Sequence, residues 1–139
     1  MGQNGMSVFL GEFSHSLDDR GRLSLPKKIR EELKSVEIVL TRGFETCIFG
    51  YQKSTWLDDT KKQLEIPVFE ERGRNLRRFT FSAAVPAELD KLGRVLIPGN
   101  LKEYAGIKNE VMVIGAGDHF EIWDSKKWKE YQKTINPTI

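Results

Sequence analysis

Apolar positions in this chain fall into short runs whose period switches between two and about three and a half. "SVFLGEFSHSL" alternates loosely, as a partly exposed strand does. "RLSLP" is a β-prone run stopped at Pro26; Leu25, Ile29 and Leu33 then recur at helical spacing and predict a short helix with Pro26 at its first position. "EIVLTRGFETCIFGY" gives two β-rich runs around a glycine, the pattern of a hairpin. The same order then returns. "FTFSAAVPAEL" predicts an edge strand carrying Pro86, "RVLIP" a strand stopped at Pro98, and Ile97, Leu101 and Ala105 a helix ended by Gly106. "EVMVIGAGDHFEIWD" predicts a second hairpin.

Helical patterns separate and follow these runs. Ser54 is placed to cap "TWLDDTKKQLEI", whose acidic start and basic end suit the helix dipole and which stops at Pro67. "PVFEERGRNLRRF" predicts a second helix with Phe69, Gly73, Leu76 and Thr80 on one stripe and Arg72, Arg74, Arg77 and Arg78 outside it. Ser125 opens "KKWKEYQK", with Trp128, Tyr131 and Ile135 on one face. The expected organisation is a first repeat over 7–53, a helical linker over 54–78, a second repeat over 79–124 and a C-terminal helix and tail over 125–139.

Identities repeat as well as pattern. Shifted by 72 positions, Leu17, Asp18, Gly21, Arg22, Pro26 and Glu31 meet Leu89, Asp90, Gly93, Arg94, Pro98 and Glu103. At a shift of 74, Gly43, Ile48 and Phe49 meet Gly117, Ile122 and Trp123, which implies a two-residue insertion between the halves of each copy. The chain is a tandem duplication of a mixed α+β unit.

Composition narrows the class. The 139 residues, 39% hydrophobic, suffice for a globular core. The single cysteine, Cys47, forms no intramolecular disulfide, as expected of a reducing cytoplasm. No run of about 18 apolar residues spans a bilayer, and the opening "MGQNGMSVFLGEF" lacks the form of an export signal, so no membrane partner is expected. A net charge of +2 means that any nucleic-acid footprint must come from local clustering.

Catalytic and cofactor patterns are missing. His15, His119 and Cys47 stand singly, without zinc spacing, and there is no Walker loop or G-x-S-x-G elbow. Neither a metal, a cofactor, a small-molecule substrate nor an enzyme is expected. Cys47 reads as a small buried apolar residue. Asp18 and Asp19 would be a poor acid and base pair, because flanking arginines depress carboxylate pKa values and the second copy has Asp90 alone.

The repeated unit of chemistry is D-x-x-G-R. Asp caps its own backbone, and Gly21 or Gly93 supplies a positive φ. One reading is a local ion pair pinning a turn. The other is an arginine preorganised by its aspartate for phosphate or a guanine edge, beside the amides of a helix start. The two are compatible. Arg20, Arg22, Lys27, Lys28 and Arg30 crowd into eleven residues, whereas "DKLGRVLIPGNLK" offers Lys91, Arg94 and Lys102, so the first copy is expected to do most of the contacting.

The doubled D-x-x-G-R turn with "LSLPKKIR" and "VLIP", and the endings "LTRGFETCI" and "VIGAGDHFEIWD", resemble the MraZ family over about Phe9 to Tyr131. The resemblance implies a pair of AbrB-like, swapped-hairpin (double-psi-like) β units and a homo-oligomeric ring, in which copy two of one subunit could pair with copy one of the next. It also implies a cytoplasmic, nucleoid-associated regulator that binds double-stranded DNA upstream of its own division and cell-wall gene cluster, with direct repeats engaged by the arginine turns of neighbouring subunits. The D-x-x-x-R signature falls on Asp18 and Arg22 and on Asp90 and Arg94. The DNA-binding set expected is Asp18, Arg20, Arg22, Lys27, Lys28, Arg30, Asp90 and Arg94. The competing reading is an antitoxin-like interaction protein whose Arg72 to Arg78 cluster meets an acidic protein partner.

Overall fold

The first strand, β1 (Glu12–Ser16), pairs with β7 (Glu110–Gly115) of the other copy. In return β5 (Val85–Glu88), the first strand of copy two, pairs with β3 (Glu37–Arg42) of copy one. With β4 (Ile48–Gln52) and β8 (Phe120–Asp124) meeting at the centre, an antiparallel six-stranded sheet runs β1-β7-β8-β4-β3-β5. The remaining strands, β2 (Arg22–Ser24) and β6 (Arg94–Leu96), form a separate two-stranded ribbon. This computed structural model describes residues 7–138, so the opening residues, where no export signal is expected, lie outside it. Among the described residues no helix is long and apolar enough to cross a membrane.

Strand alternation sorts side chains into two layers. Val111 and Val113 of β7, Ile38 and Leu40 of β3, and Ile48, Phe120 and Ile122 face the main core. Leu23 and Val95 of the ribbon join it, as do Ile29 of α1 (Lys27–Glu32) and Leu101 and Ala105 of α4 (Gly99–Ala105). Met112, Ile114 and Trp123 face the other way and pack with Trp128 and Tyr131 of α5 (Ser125–Gln132). Over β3 and β4 that outer layer is α2 (Lys53–Leu64) and α3 (Glu71–Phe81), tied down where Thr41 Oγ1 donates to the Thr80 carbonyl at 2.6 Å. Gly50 lies opposite Phe120, and a Cβ there would fall inside the Phe120 ring. The core aromatic therefore dictates a glycine across the strand pair.

The two copies are thus interlocked within one chain. Strand exchange between the two copies takes place within the one chain, β1 with β7 and β5 with β3. Spacing is also corrected. β3 starts at Glu37 and β7 at Glu110, 73 apart; β4 starts at Ile48 and β8 at Phe120, 72 apart. One residue is gained in the longer helix α4 and lost again in the shorter β7–β8 loop, so Ile48 corresponds to Phe120 and Trp56 to Trp128; the 74-residue shift aligned unequal positions.

Local differences have local causes. Phe79 to Phe81 belong to α3 and not to a strand, because Phe79 packs between Phe44 and Tyr104 and its carbonyl accepts from Arg42 Nη1 at 3.1 Å. Only Val85–Glu88 pairs, at the sheet edge where Pro86 is tolerated. Pro26 and Pro98 stand one position before their helices, as N-caps. Gln52, not Ser54, precedes α2, and Asp124, whose carboxylate accepts from the Lys127 amide, precedes α5. Phe69 leaves the predicted stripe at 92% exposure, since α3 begins only at Glu71; Ile135 lies exposed beyond α5.

Candidate nucleic-acid interface

Each D-x-x-G-R segment folds as the same turn. Asp18 Oδ1 accepts the amides of Arg20 and Arg22, both at 2.9 Å, while Oδ2 accepts from Arg22 Nε at 2.8 Å. Asp90 repeats this with the amides of Leu92 and Arg94 at 2.9 Å and Arg94 Nε at 2.9 Å. Gly21 and Gly93 take φ of +78° and +77°, which only glycine adopts without strain. Backbone bonds close each loop, from Gly21 N to the Asp18 carbonyl and from Gly93 N to the Asp90 carbonyl, both 3.0 Å. Accepting the Arg22 backbone amide, then the guanidinium, holds the Asp18 carboxyl below its ordinary value against a partial desolvation that acts the other way. The Arg94 amide and guanidinium do the same for Asp90.

Tertiary structure then joins the two motifs through the ribbon, with one turn at each end. The ribbon pairs Arg22 with Leu96, Leu23 with Val95, and Ser24 with Arg94. Since Leu23 and Val95 point into the core, Arg22, Ser24, Arg94 and Leu96 share the outward face. Arg22 and Arg94 are diagonal neighbours there, about 7 to 8 Å apart at the backbone. Their side chains are 27% and 28% exposed, and their terminal guanidinium nitrogens have no partner among the described residues. Two arginines, each gripped through Nε, thus leave their outer edges free on one face.

The other predicted residues flank this face unequally. Arg20 is exposed beside the first turn. Lys27 and Lys28 are exposed at the start of α1, Lys27 in a loose 3.9 Å pair with Glu31. Arg30 bonds through Nε to the Leu25 carbonyl at 3.0 Å and lies over the second turn, where a Cβ on Gly93 would meet its Cδ at 2.5 Å. It therefore braces copy two's turn from copy one's helix. Ser24 and Leu96 were missed by motif reading; alternation within "RLS" and "RVL" puts them on the arginine face and was the signal available.

Groups elsewhere settle into structural roles. Arg77 Nη2 donates to the Leu64 and Ile66 carbonyls at 3.0 and 3.1 Å, and Arg74 Nη1 to those of Val68 and Phe69 at 3.0 and 3.1 Å. Half of the arginine cluster thus clamps the α2–α3 elbow. Cys47 is buried, and that burial pushes its thiol well above the ordinary range. His119 bridges Asp118 Oδ1 at 2.8 Å and Glu121 Oε2 at 2.9 Å; burial would lower its pKa, but the two carboxylates outweigh it and raise it. No group of three or more His, Cys, Asp or Glu able to hold a metal occurs among the described residues.

Comparison with known proteins adds an independent line. A family model described as "MraZ protein, putative antitoxin-like" matches residues 8–79 and again 80–138. Proteins named "Transcriptional regulator MraZ" are similar over most of their length. That of Moorella thermoacetica is 43% identical over 89% of this chain and 86% of its own. The one from Syntrophomonas wolfei is 43% identical over 91% and 87%, and that of Roseiflexus castenholzii 39% over 88% and 85%.

Proposed function

The chain belongs to the MraZ family, and from that premise we propose that it is a sequence-specific DNA-binding transcriptional regulator, without enzymatic activity. Its target is double-stranded DNA upstream of its own division and cell-wall gene cluster, and its place is the nucleoid. The observation that carries the reading is the ribbon face: Arg22 and Arg94, each preorganised by an aspartate, diagonal to one another on two strands. A two-stranded ribbon fits a B-DNA major groove, and arginine is the commonest reader of guanine there. Arg22 and Arg94 read bases, Asp18 and Asp90 hold them, and Arg20, Lys27 and Lys28 meet phosphates. Arg30 acts mainly through the turn it braces. Repeats 7–53 and 79–124 build this surface jointly.

One subunit has few phosphate contacts, so affinity at physiological salt calls for several subunits on direct repeats, and a homo-oligomeric ring supplies them by avidity. The antitoxin-like alternative is weakened by the α2–α3 elbow, which occupies Arg74 and Arg77 and leaves Arg72 and Arg78 as the exposed members of the cluster.

The test is equilibrium binding to labelled DNA from upstream of the gene cluster and to a shuffled duplex of equal length, over a salt series. Preference for the native duplex that persists as salt rises is the expected result. Equal, weak binding to both, erased by salt, would overturn it.

A further inference from the structure

The ribbon is nearly two-fold symmetric in backbone but not in chemistry. At the turn tips Arg20 of copy one corresponds to Leu92 of copy two; on the strands Ser24 corresponds to Leu96. Both substitutions put an aliphatic chain where copy one is polar, and both leucines face solvent, at 68% and 59% exposure. They are also next to the arginines. Leu96 is the cross-strand partner of Arg22, and its Cδ1 lies 4.0 Å from where a Gly21 Cβ would sit. The Leu92 amide is bonded to the same Asp90 carboxylate that holds Arg94.

Resting on the DNA-binding reading above, we infer that Leu92 and Leu96 are specificity residues that pack against thymine 5-methyl groups in the major groove, beside the bases met by Arg94 and Arg22. Thymine carries the one apolar group that the major groove displays, so an aliphatic side chain on a groove-facing ribbon has that partner and no other among the base edges. Covering an exposed leucine in the groove takes its apolar surface out of water and so favours the bound state. The pairing has a second consequence. Because the tips are arginine at one end and leucine at the other, the ribbon distinguishes its two orientations on DNA. A pseudo-symmetric protein thereby reads a directional site, as direct repeats require, and not a palindrome.

The experiment selects duplexes from a randomised pool with the full-length wild-type protein, takes the most enriched duplex as probe, and replaces each thymine in turn by deoxyuridine, which pairs identically but lacks the methyl. Wild type should lose about fourfold in affinity at a thymine within the site, the worth of one buried methyl group. Leu92→Ala and Leu96→Ala should each become indifferent to deoxyuridine at a different position, with unchanged salt slope and melting temperature, while Leu92→Met keeps the sensitivity. Leucine variants that retain the wild-type ratio at every thymine would overturn the assignment and leave the DNA reading standing. A pool from which wild type enriches nothing would remove both.

Discussion

Arg22 and Arg94 stand diagonally across a ribbon only three residues long, each fixed through Nε by its own aspartate at 2.8 and 2.9 Å. On the proposed DNA-binding role, neither side chain has to be immobilised when the duplex arrives, because the turn has already done so. The same aspartates close the turns, so the two partners of each pair respond differently to mutation.

Arg22→Ala and Arg94→Ala are each expected to lower affinity for a selected duplex by ten- to a hundredfold, the scale of a lost base contact, with melting temperature nearly unchanged. Asp18→Ala should lower both, since it also strips the acceptor of two backbone amides. Gel-shift titration and calorimetry on the same samples separate these outcomes. An Arg22→Ala chain that unfolds would show the arginine to be structural.

Acid and alkaline limbs of stability have different owners. Asp18 and Asp90 have folded pKa values below the ordinary 3.8, so their contribution is present above that value and is lost as pH falls through the lowered one. Asp18→Asn with Asp90→Asn should flatten the acid limb below about pH 4. His119 is the opposite case, raised above 6.5 by Glu121 and Asp118, with Asp59 of α2 nearby and the rings of Phe49 and Tyr51 against it. Its contribution is complete below 6.5 and disappears as pH rises through the folded value. Thermal melts should show His119→Gln removing a decline on the alkaline side.

Gly50→Ala should destabilise by about 1 to 3 kcal/mol, because the new methyl overpacks the Phe120 ring. Denaturant titration of Gly50→Ala with Phe120→Leu, which vacates that space, should recover part of the loss relative to the single glycine variant. No recovery would locate the cost in the backbone instead.

The Cys47 thiol should be inert in the native protein. Buried and held in its neutral form, it presents no thiolate, so labelling with a thiol reagent at about pH 8 should follow global unfolding and slow as stabilising salt is added. Rapid stoichiometric labelling in native buffer would contradict the burial.

Arg77→Ala should loosen the α2–α3 elbow by about 1 to 2 kcal/mol, having removed the donor to two carbonyls. Arg78→Ala, on the exposed side of the same helix, should stay near wild type in the same denaturant titration.

Much of this was written in local sequence. The turns follow from Asp18, Gly21, Asp90 and Gly93, whose side chains or lack of them satisfy a backbone within four residues; proline stops and the Gly106 C-cap, at φ +64°, are equally local. The internal repeat fixed the α+β class and made Asp18, Arg22, Asp90 and Arg94 visible as a set. What tertiary structure decided depends on residues far apart in the chain. That β1 joins β7 and β5 joins β3, that Phe79 to Phe81 stay helical against Tyr104 and Phe44, and that Gly50 must yield to Phe120 are packing outcomes with no short-range signal. The same holds for the candidate DNA-binding face. Sequence gives two arginines in two separate motifs; the ribbon pairing of Leu23 with Val95 turns them into one surface, because burying those two side chains leaves their neighbours no direction but outward.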